Sequence, residues 1–172
     1  MIYTTLNKIR ERSPCESGWV PLLKHLGKTK ADDELLGFDV ILDNNGLTDA
    51  LWCSRTLEKG NSVSRPFALW CARQVEHRTN DPRVKACNDV NEQFMTGDAT
   101  QAELDAAKGD ADRATMATRD TSKTMAARAA SDATREDAWD AAGAAMAAID
   151  DAWAAARAAQ KTEFLRLITE RG

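Results

Sequence analysis

The residues of this chain best suited to nucleophilic, acid–base or metal chemistry are four cysteines and two histidines. The cysteines are separated by 38, 18 and 16 residues, so there is no Cys-x-x-Cys pair and no zinc-type spacing. Neither histidine lies in a recognisable catalytic motif. We therefore expect buried, reduced thiols, and a reactive cysteine with a histidine as its base is the alternative. These residues are Cys15, Cys53, Cys71, Cys87, His25 and His77.

Other catalytic patterns are missing from the sequence. It contains no Gly-rich phosphate loop, no Gly-x-Ser-x-Gly, no His-Glu-x-x-His and no calcium-loop spacing. The densest carboxylate cluster is Asp32, Asp33 and Glu34, which precedes an apolar stripe and predicts the acidic first turn of a helix. The sequence thus predicts no catalytic residue, no cofactor and no metal, and we expect that the protein is not an enzyme.

A short internal repeat supplies the strongest candidates for binding. Residues 50–55, Ala-Leu-Trp-Cys-Ser-Arg, recur as Ala-Leu-Trp-Cys-Ala-Arg at 68–73, with a period of 18 residues. One interpretation is that two helices share a packing solution. The other is that Arg55 and Arg73 form a paired basic site for a partner's carboxylates, with Lys28 and Lys30 as a second basic group.

Local signals place these residues on short helices in the first half of the chain. All four prolines lie there, and helix stops are predicted at Gly27 and Gly46. Ser64-Arg65-Pro66 and Asp81-Pro82 each put a capping side chain before a proline that suits the first turn. Leu35, Phe38 and Leu42 have the spacing of a buried helical face.

The second half is rich in alanine. Residues 99–159 contain 25 alanines among 61 residues, and Thr100 with Glu103 forms a capping box at the start. Polar residues predict a turn between Thr118 and Thr134, which would give a long helical hairpin. Every seventh residue from Leu104 is mostly apolar on both sides of Asp132, so a break is expected there. On this spacing Trp139 and Trp153 are predicted as core residues, with exposed binding anchors as the alternative.

These elements predict an all-α fold. About six short N-terminal helices (1–97) are expected to pack on a long Ala-rich C-terminal helical hairpin (98–172), and the two parts are expected to form one cooperative domain. Met116, Ala127 and Ala130 are expected as an exposed stripe on the tail. Because alanine buries little area, we expect a monomer or a weak dimer.

Charge and hydropathy limit the classes of partner. The net charge of −4 divides into +2 for residues 1–86 and −6 for residues 87–172, and the pI is near 5.3. That charge balance disfavours nucleic acid as a partner. Residues 35–57 nevertheless have a helix-turn-helix-like pattern, so a nucleic-acid-associated regulator is kept as an alternative.

No apolar run could span a membrane and no signal peptide is recognisable, so we expect a soluble, cytoplasmic protein.

Several packing motifs together resemble a family of Trp- and Ala-rich helical proteins of the polymorphic-toxin immunity type. Such chains are common in bacterial and prophage chromosomes. The resemblance covers nearly the whole chain. The motifs are Ser-Pro-Cys at 13–15, Gly-Trp at 18–19, Lys-His-Leu-Gly-Lys-Thr at 24–29, the two Leu-Trp-Cys-x-Arg segments, and the 97–104 entry into an Ala-rich tail.

The resemblance implies a non-enzymatic protein-binding module. Such a module would act as an inhibitor or immunity protein that blocks a toxin or a host-defence complex. A phage-encoded anti-defence protein, including an anti-CRISPR protein, is the alternative, because small helical binders suit that role. The degraded Ala-Ala-Arg-Asp pattern at 121–124 sets this tail apart from the family.

Overall fold

The fold is all-α, as the sequence predicts. The computed structural model describes residues 1–57, 62–135, 137–149 and 152–170. Ten α-helices lie within those ranges. They are α1 (Leu6–Glu11), α2 (Glu16–His25), α3 (Phe38–Asn45), α4 (Leu47–Cys53), α5 (Ser64–Val75), α6 (Pro82–Thr96), α7 (Gln101–Met116), α8 (Thr121–Thr134), α9 (Ala138–Ala147) and α10 (Trp153–Glu170).

Most predicted helix ends are confirmed, because their signals are local. Gly46 has φ +83° and separates α3 from α4, a conformation that costs glycine little. The Asp81 side chain accepts from the backbone N–H of Arg83 at the start of α6. The Thr100–Glu103 capping box starts α7, with Glu103 Oε2 accepting from the Thr100 N–H at 2.7 Å.

The predicted helix start at 32–34 is wrong. These residues lie outside any helix, and α3 begins only at Phe38. The intervening Leu36–Gly37 forms strand β2, which pairs antiparallel with β1 (Tyr3–Thr4). Leu35, predicted as part of a buried helical face, is exposed and lies just before β2, outside any helix. Tertiary pairing thus overrides the acidic helix-start signal.

The chain forms two compact units. The first contains residues 1–63 and 161–172, and the second contains residues 64–160. The unit boundaries therefore differ from the predicted 97/98 division, since α5 and α6 belong to the same unit as α7, α8 and α9. The cooperative unfolding of 1–97 with 98–172 stays a prediction.

The core of the first unit joins the two ends of the sequence. The Phe38 and Phe164 rings lie 6.4 Å apart, centroid to centroid, and both are buried. The Ile2 N–H donates to the Ile168 carbonyl at 2.8 Å, so the backbone before β1 satisfies a carbonyl near the end of α10.

The second unit is built around α8. This helix packs against α5, α6, α7 and α9, and every residue from Ala129 to Thr134 is buried. Alanine makes this arrangement possible, because a single methyl group lets neighbouring helix backbones approach closely on all sides. The predicted exposure of Ala127 and Ala130 is therefore wrong, whereas Met116 is exposed as predicted.

The long C-terminal hairpin is not confirmed in its predicted form. The segment contains four helices, α7 to α10, where the hairpin would have two. One turn covers residues 117–120, at the edge of the range Thr118–Thr134 in which a turn was predicted. A helix end also lies near the break predicted at Asp132, since α8 ends two residues after it. Shorter helices let α7, α8 and α9 fold back on one another and bury alanines that a two-helix hairpin would leave in water.

Close packing around α8 leads to a direct test. We expect Ala130→Leu to lower the free energy of unfolding by about 2 kcal/mol, because the larger side chain must push apart helices that already touch. Ala102→Leu, at an exposed position of α7, is the matched control and should change stability by less than about 0.5 kcal/mol. Urea denaturation followed by circular dichroism measures both, and equal stability of the two variants would contradict the packing described here.

Candidate functional site

The basic residues predicted in the first unit differ in their availability. The Lys28 ammonium lies 2.7 Å from Asp32 Oδ2 and 2.6 Å from Glu34 Oε2. Hydrogen bonds to Asp32 and then Glu34 raise the pKa of Lys28, so its charge is already neutralised within the chain. Lys30 and Arg55 are exposed, and among the described residues neither makes an ion pair. Of the three basic residues predicted as binding residues in this unit, Lys30 and Arg55 are the exposed ones without an ion pair among the described residues.

Arg73, in the second unit, is enclosed by its own carboxylates. Its guanidinium contacts Glu76 at 2.7 Å, Asp89 at 2.7 Å and Glu92 at 2.9 Å. Burial acts against its charge, but these hydrogen bonds outweigh burial and raise the pKa of Arg73. The predicted pairing of Arg55 and Arg73 stays a prediction, since the two arginines belong to different units.

The two repeat segments nevertheless bury equivalent positions. Leu51 and Leu69 are buried, Cys53 and Cys71 are buried, and the intervening tryptophans are half-buried in both copies. The two copies differ in the surroundings of their final arginine, because Arg55 is exposed and Arg73 is ion-paired. The repeat is thus a shared way of packing a helix, and it leaves its two arginines in unlike surroundings.

A polar cleft of about 360 Å³ lies beside Arg73 at the α5–α6 corner. Its lining includes Glu76, His77, Asp81 and Lys85. Asp81 pairs with Arg83, and Lys85 pairs with Asp89 at 2.6 Å, so the charges at this corner largely neutralise one another. The cleft therefore presents no strong field to a charged ligand.

The prediction that the cysteines are buried is confirmed for three of the four. Cys53, Cys71 and Cys87 are buried, and burial raises the pKa of both Cys53 and Cys87 to about 12. Such thiols are protonated at neutral pH and unreactive. The prediction that all four are buried is wrong for Cys15, which is exposed just before α2. A hydrogen bond from Ser17 lowers the pKa of Cys15.

The two tail tryptophans are exposed, contrary to the prediction that they are core residues. Trp139, in the first turn of α9, is 45% exposed, and Trp153, at the start of α10, is 60% exposed. On α9 the buried side consists mainly of alanines, and Gly143 and Ala147 share the exposed side with Trp139. An indole on the buried side would separate helices that alanine lets approach closely. The alternative interpretation, that these tryptophans are binding anchors, gains support from this exposure.

The sequence analysis did not identify the charged cluster at the end of α8. Asp132 has a fully buried carboxylate, and it forms ion pairs with Arg128 and Arg135, whose side chains are 57% and 49% exposed. Asp132 Oδ2 lies 3.5 Å from Arg128 Nε and makes no hydrogen bond among the described residues. Arginines four residues before and three after an aspartate are the sequence signal that could have revealed the cluster.

Burial dominates the electrostatics of this aspartate. Removal from water raises the pKa of Asp132, and the Arg135 hydrogen bond and the charge of Arg128 offset this only in part. Asp140 of α9, a like charge, adds to the rise. An ionised carboxylate that is buried and incompletely hydrogen-bonded destabilises the fold unless its cations compensate.

Comparison with known families, with curated proteins and with solved structures finds no match for this chain. The described helices include none with the length and apolar character needed to cross a bilayer. No group of three or more potential metal ligands is found in the described parts of the chain.

The buried carboxylate leads to a pH-dependent prediction. Because the folded state holds the Asp132 proton more tightly than the unfolded chain, ionisation costs stability as pH rises from about 4 through the raised pKa. Asp132→Asn removes that cost, so its stability relative to wild type should increase over this range and then level off. Urea denaturation of both proteins across the range measures the difference. A difference independent of pH would show that Asp132 does not titrate with folding.

Proposed function

We propose that this protein is a non-enzymatic protein-binding module of the inhibitor or immunity type. Its partner would be a toxin or a host-defence complex of the cytoplasm, which it blocks without turnover. The observation that carries the proposal is the exposure of Trp139 and Trp153 on a unit in which α8 and α9 bury mainly alanine.

Large exposed aromatic side chains on rigid helices are suited to binding another protein. Tryptophan offers a wide contact area with few rotatable bonds, and it is enriched among the residues that dominate interface energetics. Trp153 is flanked by the exposed alanines Ala152, Ala154 and Ala155, which add apolar surface without steric obstruction. Burying this surface against a partner would stabilise a complex at roughly 25 cal/mol per Å².

Charge at the surface gives a secondary contribution. Arg55 and Lys30 are the predicted basic residues that face solvent, and they suit the carboxylates of an acidic partner at the rim of an interface. Lys28 and Arg73 would first have to release their own carboxylates. We therefore assign them a smaller share of the binding energy than the tryptophans.

The identity of the partner class follows from the sequence resemblance. A stable helical scaffold with an exposed binding surface suits both an immunity protein and a phage-encoded anti-defence protein, including an anti-CRISPR protein. The alternative of a nucleic-acid-associated regulator is less well supported, because α4, which would be its recognition helix, carries neither lysine nor arginine.

Affinity capture from the native host tests the proposal. Wild-type protein and a Trp139→Ala/Trp153→Ala double variant serve as baits, with Met116→Ala as the matched control at an exposed apolar residue of α7. We expect one partner to be enriched by wild type and by the control, and to be reduced at least about tenfold by the double variant. Circular dichroism and thermal unfolding check that all three baits are folded.

Two results would contradict this proposal. One is recovery of the same partner, at the same level, by the double variant. The other is capture dominated by nucleic acid that is lost as salt rises, which would support the regulator instead.

A further inference from the structure

The exposed side of α9 consists of one large residue followed by two small ones. Trp139, Gly143 and Ala147 are four residues apart, so they lie in a row along one face of the helix, and all three are exposed. Most other residues of α9 are buried, because the helix packs on α5 and α8. Asp140, the one charged residue in the α9 sequence, is half-buried. The α9 face (Trp139, Gly143 and Ala147) therefore contains no charged residue.

Among the described residues nothing requires a glycine at the centre of the α9 face. Gly143 lies inside the helix and its φ is not positive, so alanine would adopt the same backbone. A β-carbon built at Gly143 would meet no atom within 4 Å, so no neighbouring helix excludes one. Glycine also destabilises a helix interior relative to alanine. A position that costs helix stability and has open space above it suits the close approach of a second helix from outside.

The order of side-chain sizes makes the α9 face complementary to a second copy of itself. When two α9 helices meet antiparallel about a two-fold axis at Gly143, residue 139 of each copy lies opposite residue 147 of the other. Each indole then covers a methyl group, and the two glycines meet at the crossing point, where the backbones can approach most closely. A parallel pairing would instead place the two indoles against each other and hold the glycines apart.

We propose that the α9 face is a self-association surface, on which two copies of this chain form a weak, antiparallel, two-fold dimer. This inference goes beyond the proposed function, whose partner is a different protein. The two interactions share the Trp139 indole, so a partner that binds there tightly would displace the second copy.

Area and charge determine the strength of this contact. Because α9 has ten residues and is about 15 Å long, two such faces bury well below the roughly 1,000 Å² of a stable interface. The Asp140 carboxylates of an antiparallel pair are offset by about 9 Å along the helix axis, close to the screening length at physiological salt. Each copy carries a net charge of −4, which opposes association at low salt. We expect a dissociation constant of about 0.1–1 mM that decreases as salt rises.

Sedimentation equilibrium of the full chain, at concentrations up to about 1 mM, measures this association. We expect a monomer–dimer equilibrium that shifts toward dimer at higher salt, because salt screens the repulsion between two acidic copies. A chain that stays monomeric over the whole range overturns the inference and leaves the α9 face to a different partner.

Alanine substitutions at two helix-interior glycines separate self-association from helix stability. Gly143→Ala should raise the thermal midpoint by about 2 °C, because alanine favours the helix. The same substitution should weaken the dimer about three- to tenfold, because two added methyl groups hold the helices apart. Gly109→Ala in α7, whose β-carbon would lie at an ordinary contact distance of 3.6 Å from Arg113, is the matched control. It should raise the midpoint similarly and leave association unchanged, and dimers of equal strength in both variants contradict the inference.

The position of the two-fold axis has a geometric test of its own. In a Cys15→Ser background, which removes the exposed native thiol, Gly143→Cys places two thiols opposite each other, and a short bis-maleimide should join the copies. The thiols introduced by Ala147→Cys would be about 12 Å apart along the helix axis, so they should crosslink less. Equal crosslinking at both positions would contradict the antiparallel arrangement.

The outcomes distinguish this inference from the proposed function. If Gly143→Ala leaves association unchanged while capture of the native partner still depends on Trp139 and Trp153, the self-association surface is overturned and the proposed function stands. If the dimer depends on Gly143 in a chain that captures no partner, the inference stands and the proposed function is contradicted.

Discussion

Close packing of helices around α8 is the constraint on which the second unit depends. Four helices contact α8, and its residues from Ala129 to Thr134 are all buried. A helix surrounded in this way cannot carry large side chains on every face without forcing its neighbours apart. Alanine resolves the conflict at a cost, since each methyl group buries little area and stability must come from many close backbone contacts.

This constraint also determines what appears on the surface. The buried side of α9 consists mainly of alanines, and Trp139 lies at the surface of that helix. The interior admits the Asp132 carboxylate only because Arg128 and Arg135 extend from the solvent side to meet it. The features we associate with binding are therefore consequences of the packing. The same small residues that allow the helices to approach lie beneath aromatic and cationic side chains that are exposed to solvent.

Ion pairing within the chain selects among the basic residues. Arg55 and Arg73 have the same place in a repeated sequence, yet Arg73 lies opposite Asp89 and Glu92 of α6 while Arg55 faces solvent. Lys28 and Lys30 differ in the same way, because the loop after α2 brings Asp32 and Glu34 into direct contact with Lys28. Charge at a position is thus a poor guide to availability until the facing carboxylates are known.

The sequence alone predicted the helical class, about six short N-terminal helices and most helix ends, although no signal predicted α1. Glycine at position 46, proline after Asp81 and the Thr100–Glu103 box act within one turn of the chain, so their effect does not depend on distant residues. Only the tertiary structure decided the path of residues 32–37, the exposure of Trp139 and Trp153, and the pairing of Arg73. Each of these depends on the element that lies opposite. The path of residues 32–37 depends on β1 near the N-terminus, the exposure of the tryptophans on how closely neighbouring helices pack, and the pairing of Arg73 on carboxylates of the next helix. A seven-residue spacing predicts which residues share a helix face, but the separation between helices determines whether a large side chain fits there.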